Sequence, residues 1–412
     1  MESPEPTRIP DHAETPESAA ASAERFAPSR LWHRPPPQLN LFTGEPEAVV
    51  IPLEIEPDEG EPYIIDEGIR MVKTGDTSQI VLSGFGMFLS KKSERLIVRE
   101  GKKAIYEVPL FRLSEVVVAS RGITVSSDVI EELCKRGIRL SFLTNSGKPY
   151  AMLSSPMLTA TVVSRREQLA AMNDDRGRDL AKLFVLGKLK NQERLLRYFG
   201  KYLKQQDPAR FESVARLAGQ IRQLRPAIQQ IDGATADAVR ETLMGYEGTA
   251  GRLYWEGVKI IIGQRTEFLG RTHRGATDAV NALLNYGYGI LYAQVWGAVL
   301  NAGLEPFAGF LHVDRPGKPS LVLDLVEEFR QPVVDRTVIA HINLGEAVVL
   351  KGGLLDEDTR ARYAAKILER LESTESVRGK KFQIKSIIQM QARALCAFLR
   401  REGPYRPFSF KW

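Results

Sequence analysis

The chain has 412 residues, of which 43% are hydrophobic, and its formal net charge is +6. This length allows two to three domains, and the hydrophobic content is sufficient for real cores. The two cysteines, Cys134 and Cys396, lie far apart in apolar segments, which excludes a disulfide framework and a zinc site of paired thiolates. No run of about 18 apolar residues and no secretory signal occurs, so we expect a cytoplasmic protein without membrane contact.

The charge is distributed unevenly along the chain. Residues 1–75 hold 15 Asp and Glu against 6 Lys and Arg, a balance of −9, so the remaining residues carry +15. A basic body of this size is typical of proteins that bind phosphate backbones, although basic charge also serves solubility. Residues 1–70 contain 12 of the 23 prolines. We expect residues 1–75 to be a disordered, acidic, Pro-rich extension, because they cannot bury much apolar surface.

Residues 76–157 contain short β-rich runs separated by turn residues, which predict a β-rich N-terminal domain. The predicted strands are Ile80–Leu82, Arg95–Arg99, Ala104–Val108, Glu115–Ala119, Ile123–Val125, Arg139–Leu143 and Tyr150–Leu153. One helix is expected at Asp128–Arg136, after two capping serines. Gly84 and Gly86 lie among the strands without a following helix, so we interpret them as a turn or bulge.

Residues 158–412 show helical periodicity, which predicts a larger all-α domain. The predicted helical segments are Ser164–Met172, Arg178–Gln206, Arg210–Ile231, Thr235–Ile262, Ala276–Ala302, Leu321–Arg330, Val333–Ile342, Glu357–Leu371 and Gln383–Arg401. Strands precede helices without βαβ alternation, so the expected fold class is α+β and a Rossmann-like nucleotide binder is excluded. The sequence also lacks the phosphate-binding P-loop, the zincin motif and the nucleophile elbow.

Glu247 is the first candidate for chemistry, because glycines surround it on a segment with helical periodicity. Gly248 and Gly251 would each cost the helix about 1 kcal/mol relative to alanine, which makes sense if DNA or backbone must approach Glu247. The alternative is a surface glutamate beside a helix crossing, where glycine only permits tight packing. Spacing alone does not choose between the two interpretations.

The segment from Arg271 to Tyr288 places three polar side chains on one face of an otherwise apolar helix. Asp278, Asn281 and Asn285 would be unfavourable if buried without partners, so we expect them to bond a neighbouring loop as scaffolding or to line a site. Arg271 is a candidate phosphate contact. His273 and Arg274 are interpreted as phosphate contacts as well. For His273 the alternative is a plain surface histidine.

His312 lies in a Pro/Gly-rich loop, and a hydrophobic segment that contains Asp324 and Glu327 follows it. On a helix the two carboxylates share a face, and unpaired burial there would cost several kcal/mol unless a cation neutralised them. Nitrogen and oxygen ligands together favour Mg²⁺ or Mn²⁺. Glu328 is equally compatible with that face as a rival to Glu327, and a loop histidine bonded to a backbone carbonyl is the plain alternative.

These residues as a set resemble the CRISPR-associated protein one family, the endonuclease and integrase of CRISPR adaptation. The resemblance extends from about Gln79 to Phe408. Its motifs, in chain order, are Ile123-Thr-Val-Ser-Ser127, Gly187-Lys-Leu-Lys-Asn-Gln192, Tyr246-Glu-Gly248, Arg271 to Tyr288, His312 to Phe329 and Tyr405-Arg-Pro-Phe408.

The resemblance implies roles for individual residues. The family's metal-binding glutamate, histidine and acidic residue match Glu247, His312 and Glu327, which favours Glu327 over Glu328. Asp324 matches an additional acid that would orient the histidine or hold a second ion. Candidate DNA contacts within the same motifs are Lys188, Tyr246, Arg252 and Arg274.

The resemblance also implies an assembly and a reaction. The β domains would form homodimers, and two such dimers would flank a dimer of CRISPR-associated protein two in a heterohexamer. The helical domain would be catalytic, with Mg²⁺ or Mn²⁺ assisting attack of a protospacer 3′-hydroxyl on a phosphodiester of the CRISPR repeat. This reaction inserts protospacer DNA into the CRISPR array as part of antiviral defence.

Two other functions are compatible with the same residues. One is a stand-alone, structure-specific DNA repair nuclease, which would use the same site. The other is a catalytically silent DNA-binding scaffold, which would not need the candidate metal ligands to be present. Residues 1–75 depart from the family pattern. Because their charge is opposite to that of the body, we hypothesise that they dock another adaptation protein or compete with DNA for the basic surface.

Overall fold

The computed structural model describes residues 63–66, 68–74, 77–144, 147–153, 161–272 and 277–411. The disorder expected for residues 1–62 lies outside the described residues, as does the domain boundary expected between residues 157 and 158. Two strands already occur before residue 76, so the sheet begins earlier than the sequence predicts. The second of them pairs antiparallel with the strand at Thr77–Leu82, a tertiary contact that local composition does not reveal.

The β domain contains two sheets and one helix in the described part of the chain. Its strands are β1 (Tyr63–Asp66), β2 (Ile69–Thr74), β3 (Thr77–Leu82), β4 (Met87–Lys92), β5 (Arg95–Glu100), β6 (Lys103–Pro109), β7 (Leu113–Val118), β8 (Thr124–Val125), β9 (Arg139–Leu143) and β10 (Pro149–Leu153). One sheet has the order β1-β2-β3-β7-β9-β10 and the other β6-β5-β4-β8. Helix α1 (Ser127–Arg136) connects the parallel strands β7 and β9 and ends at Gly137, whose φ of 67° suits a helix C-cap.

The central strands of the larger sheet are buried on both faces. One face packs within the β domain and the other packs against the helices. Ile80 and Leu82 of β3 point into the core between the two sheets, whereas Val81 points into the core of the helical domain. Val116 and Val117 of β7 repeat this division. Side chains of a strand alternate between faces, so one run of valine, isoleucine and leucine supplies both cores.

The helical domain follows. Its helices are α2 (Thr161–Ala171), α3 (Asp175–Gln206), α4 (Pro208–Gln230), α5 (Ala236–Ile262), α6 (Ala279–Asn301), α7 (Ser320–Val326), α8 (Arg336–Asn343), α9 (Glu357–Glu372) and α10 (Ile384–Leu399). Helices α3, α4 and α5 pack against one another, and α6 contacts α7, α9, α10 and the β domain. Helix α6 is apolar around most of its circumference, which explains its central, buried position.

The α+β fold class expected from the sequence is confirmed, with three local differences. Strand β4 was not predicted, and two short hairpins interrupt the helical domain: β11 (Leu350–Lys351) with β12 (Leu354–Leu355), and β13 (Thr374–Val377) with β14 (Lys380–Gln383). The helix predicted at Leu321–Arg330 ends at Val326, and a π-helical turn occupies Arg330–Asp335. Pro332 within this turn has no backbone N–H to donate, which breaks the regular pattern of α-helical hydrogen bonds.

Candidate metal centre

Glu247 and Glu327 meet on the side chain of Lys188. Lys188 lies on α3, Glu247 on α5 and Glu327 directly after α7. The Lys188 ammonium donates to Oε1 of Glu247 and lies 2.6 Å from Oε2 of Glu327. The side chains of Lys188, Glu247 and Glu327 are 12%, 21% and 4% exposed, so the ion pairs are largely shielded from water. The packing of α3 against α5 and α7 therefore brings two carboxylates 80 positions apart onto one cation.

Arg330 supplies a second positive charge to Glu327. Its Nε lies 3.2 Å from Oε1 of Glu327, and its guanidinium stands over the ring of Tyr288 at 4.8 Å from the centroid. Burial alone would raise the pKa of the Glu327 carboxyl, but the charges of Arg330 and Lys188 outweigh it and lower that pKa to about 2. Burial would likewise lower the pKa of Lys188, and the two glutamates raise it instead. Glu327, Lys188 and Arg330 are therefore ionised at neutral pH.

Asp324 fixes the ring of His312. The buried carboxylate accepts hydrogen bonds from the backbone N–H groups of Phe310 (2.6 Å), Leu311 (3.0 Å) and His312 (2.9 Å), and its Oδ1 lies 2.7 Å from His312 Nδ1. With the proton on Nδ1, the lone pair of His312 is on Nε2, the nitrogen that a metal would bind. Because both oxygens of Asp324 are occupied, the geometry supports an orienting role and gives no support to a second ion on this residue.

His312 lies within electrostatic range of Glu327. Of the three residues that the resemblance assigned as ligands, the structure joins Glu247 and Glu327 through Lys188.

Glu328, the rival of Glu327, has a different role. It is fully buried and accepts hydrogen bonds from the Tyr405 hydroxyl, the Phe408 N–H at 2.7 Å and the Gln391 amide at 2.9 Å. Asn191 adds bonds to the backbone oxygens of Glu328 and Phe408. Glu328 therefore anchors the segment around Phe408, and the structure agrees with Glu327 as the residue that faces the site.

The donor atoms of this centre are of the types that bind a divalent cation. Among the described residues, no three His, Cys or carboxylate groups are assembled closely enough to form a finished metal site. Two carboxylates and an oriented imidazole are nevertheless the donors that Mg²⁺ or Mn²⁺ accepts. The buried Oε2 of Glu327 also has no well-directed hydrogen bond and is balanced only by the ion pair with Lys188. We conclude that the residues fit a cation that would take over the position held by the ammonium.

The predicted DNA contacts fall into three groups. Lys188 is inside the carboxylate cluster, because its ammonium is ion-paired with both glutamates, and its assignment as a DNA contact stays a prediction. Arg252 is exposed and Tyr246 half-buried on the helix that carries Glu247, and both remain predictions. His273 and Arg274 lie outside the described residues.

Arg271 and the polar face of α6 form a scaffold. Arg271 donates to the side-chain oxygens of Asn281 at 2.9 Å and Asn285 at 2.6 Å. Asp278 caps α6 by accepting from the Asn281 N–H at 2.8 Å, and the Asn281 amide donates to the Gly270 carbonyl. The scaffolding interpretation agrees with these contacts, and the guanidinium of Arg271 is used inside the protein.

The glycines around Glu247 do not mark a helix crossing within the described part of the chain. A Cβ added at Gly245, Gly248 or Gly251 would meet no atom of the described residues within 4 Å. This face of α5 is therefore open beside Glu247, which agrees with the interpretation that a large ligand approaches the carboxylate there.

Sequence reasoning missed a basic pocket between α3 and the segment after α10. Its volume is about 290 Å³, and it is lined by Arg194, Arg197, Tyr198, Lys201, Phe410 and Lys411. Burial and the neighbouring charges of Arg194, Arg225 and Lys411 lower the pKa of Lys190, as expected where cations outnumber acids. The signal was present in the sequence, since residues 190, 194, 197 and 201 are all basic and repeat at helical spacing.

Comparison with known proteins agrees with this geometry. A sequence model of the family described as CRISPR associated protein Cas1 matches residues 80–369. CRISPR-associated endonuclease Cas1 1 of Archaeoglobus fulgidus is 37% identical over 352 residues, which cover 81% of this chain and 100% of that protein. The protein of the same name from Francisella tularensis subsp. novicida is 34% identical, with 81% of this chain and 99% of the relative covered.

Solved structures share the fold. A casposase bound to an integration product superposes with a TM-score of 0.65, at 22% identity, over 79% of this chain and 91% of that chain. A Cas6-RT-Cas1–Cas2 complex also gives 0.65, at 20% identity, over 82% of this chain and 36% of that chain. The resemblance inferred from the motifs is thus confirmed by the family match and by relatives that align along nearly their whole length. The chain belongs to the Cas1 family of CRISPR-associated proteins.

Proposed function

We propose that the protein is a divalent-metal-dependent DNA endonuclease and integrase, which inserts protospacer DNA into a CRISPR array by 3′-hydroxyl attack on repeat phosphodiesters. The observation that carries the proposal is the meeting of Glu247 and Glu327 beside an oriented His312 in a chain of the Cas1 family. The names of the relatives as endonucleases, and of the structural neighbour as a casposase with an integration product, support the same reaction class.

Each residue of the centre has a stated task in this proposal. Glu247, Glu327 and Nε2 of His312 would hold Mg²⁺ or Mn²⁺, which supplies Lewis-acid stabilisation of the charge that develops on the phosphoryl oxygens. Asp324 would keep the proton of the neutral ring on Nδ1 of His312, which leaves the lone pair on Nε2. Arg330 keeps Glu327 ionised and, through its contact with Tyr288, fixed in place. No protein nucleophile is required, because the 3′-hydroxyl of DNA attacks.

The partners proposed are DNA, a second copy of the chain through the β domain, and a dimer of Cas2 within a heterohexamer. The similarity of the fold to the chain of a Cas6-RT-Cas1–Cas2 complex supports the choice of Cas2. DNA binding is supported by the excess of +15 on residues 76–412 and by the open face of α5 beside Glu247.

The test of the proposal is a strand-transfer assay on a supercoiled plasmid that contains a CRISPR repeat. Protein, Cas2 and a protospacer duplex are incubated with Mg²⁺, Mn²⁺ or EDTA, and joined products are mapped by sequencing. Metal-dependent joining at the repeat ends is expected. Cleavage of branched DNA without joining would instead favour the stand-alone repair nuclease, and no metal-dependent product of either kind would contradict the proposal.

Replacement of Asp324 by asparagine is expected to lower strand transfer by about 10- to 100-fold. The amide group of asparagine would face donors that now bond a carboxylate, so the His312 ring loses its fixed tautomer. Nitrogen NMR of the labelled ring should show mixed tautomers in Asp324→Asn and a single Nδ1–H form in the unaltered protein. Asp314→Asn is the matched control. Asp314 lies in the same loop as His312 and accepts a hydrogen bond from the Ser320 hydroxyl, so its substitution leaves the histidine untouched.

The basic pocket is expected to bind the phosphate backbone. Arg197→Ala combined with Lys201→Ala should weaken duplex binding about equally for all sequences and reduce the slope of log affinity against log salt by about 2. Fluorescence anisotropy at several salt concentrations measures both quantities. Lys380→Ala with Lys381→Ala removes the same charge from an exposed hairpin. Equal effects of the two double variants would mean that only net charge matters, contrary to this prediction.

A further inference from the structure

Lys188 holds the position between the two carboxylates that a bound cation would take. Its ammonium is ion-paired with Glu247 and lies 2.6 Å from Glu327, and its side chain is only 12% exposed. A lysine in this place is not needed to build the fold, because α3 also carries a long apolar face that packs on α5. We propose that Lys188 makes metal binding at this centre conditional on the presence of a nucleic-acid phosphate.

The charges of the centre lead to this proposal. Glu247 and Glu327 contribute two negative charges, and Lys188 and Arg330 contribute two positive charges, so these four groups balance one another without a metal. The Asp324 carboxylate bonded to His312 offsets only one of the two charges that a divalent cation adds, so an excess of positive charge remains in a poorly hydrated region, which is unfavourable. Phosphodiester groups of a bound duplex would offset that excess. Metal and DNA should therefore bind with positive coupling, each strengthening the other.

Lysine is suited to this role by its chemistry. Its ammonium is a compact charge on a flexible four-carbon stem, so it can leave the carboxylates and contact a phosphate oxygen without movement of α3. Arg330 is held more firmly, because its guanidinium is bonded to Glu327 and packed on Tyr288. Of the two cations, Lys188 is the one that the incoming metal displaces. The inference rests on the proposed function, since it concerns the same metal centre.

The test compares Lys188→Met with the unaltered protein and with Lys204→Met. Methionine keeps the length of the side chain and removes the charge, while Lys204 is exposed in the last turn of the same helix, away from the two glutamates and outside the basic pocket. Mn²⁺ binding to the protein alone is measured from the electron paramagnetic resonance signal of the free ion. Duplex affinity is measured by anisotropy with and without Mn²⁺, and the duplex carries 3′-dideoxy ends so that no joining occurs.

The unaltered protein and Lys204→Met are expected to bind Mn²⁺ weakly without DNA, and Mn²⁺ should strengthen duplex binding by about tenfold or more. Lys188→Met should bind Mn²⁺ about tenfold more tightly than the unaltered protein without DNA, and Mn²⁺ should change its duplex affinity little. Equal or weaker Mn²⁺ binding by Lys188→Met would overturn the inference and leave the lysine with a purely structural role.

Two further variants distinguish failure of this inference from failure of the proposed function. Lys188→Gln, which keeps a donor for the carboxylates, replaces Lys188→Met if the latter does not fold, and the same loss of coupling is expected. Glu327→Gln is the baseline without a metal ligand. If the unaltered protein binds Mn²⁺ tightly with or without DNA and Glu327→Gln does not, the metal centre stands and only the conditional role of Lys188 falls. If no sample binds Mn²⁺ above the Glu327→Gln baseline, the proposed metal-dependent function fails as well.

Discussion

Strand transfer by the Glu327→Gln variant is expected to fall by about three orders of magnitude or more. The amide cannot neutralise a divalent cation, and it leaves Lys188 and Arg330 with one carboxylate fewer between them. His312→Ala should have a comparable effect, because the Asp324 carboxylate would then orient nothing. The supercoiled-plasmid assay in Mn²⁺ measures both losses.

Controls for this prediction separate chemistry from folding and binding. Glu256→Gln alters an exposed glutamate on the helix that carries Glu247, and its strand-transfer rate should match that of the unaltered protein. Circular dichroism and duplex anisotropy should show that Glu327→Gln and His312→Ala still fold and bind DNA. Should a folded Glu327→Gln sample integrate at more than about a tenth of the normal rate, the assignment of the centre would be wrong.

The second large effect concerns stability and Glu328. Glu328→Ala is expected to lower the free energy of unfolding by about 3–5 kcal/mol, because three buried donors lose their acceptor and a void remains. The donors belong to Tyr405, Phe408 and Gln391. Urea unfolding followed by fluorescence gives the loss of stability. Limited proteolysis should show early cleavage near Phe408 in the variant, and an unchanged midpoint and cleavage pattern would contradict the prediction.

The same residue predicts a pH dependence. Burial raises the pKa of the Glu328 carboxyl from an ordinary 4.5 to about 7, despite hydrogen bonds that favour the charged form. Between these values the folded protein binds more protons than the unfolded chain, so this group makes the free energy of unfolding fall as the pH rises from about 4.5 to 7. Glu328→Gln should remove up to about 3 kcal/mol of that fall, measured by urea unfolding at pH 5 and pH 7. An identical slope in the variant would show that Glu328 is ionised throughout.

Much of the fold could be predicted because the hydrophobic periodicity is local information. The apolar runs of β3, β7 and β9 and the long patterns of α3 to α6 correspond to elements of the structure within a few residues. The two short hairpins and the π-helical turn could not be predicted in this way. Their few residues carry no repeating pattern, and Pro332 acts only in combination with the helix before it.

The candidate site could likewise be predicted only in part from the sequence. Residue types and family motifs selected Glu247, His312 and Glu327, and the structure joins the two glutamates through Lys188. Spacing could not separate Glu327 from Glu328, because residues three and four positions after Asp324 share a helical face. The partners separate them, since Glu328 bonds residues nearly 80 positions downstream, and those contacts exist only in the folded chain. Lys188 could not be assigned from spacing for the same reason, as its partners lie on two other helices.

The contacts of Glu328 have a consequence for biosynthesis. Glu327 and Glu328 are adjacent, so the turn that presents Glu327 is fully bonded only when Tyr405 and Phe408 have reached it. A nascent chain still held on the ribosome with these residues inside the exit tunnel would have Glu247, His312 and Glu327 already translated, yet Glu328 would lack two of its partners. Newly made protein would therefore acquire a correctly set centre only after translation has passed this segment.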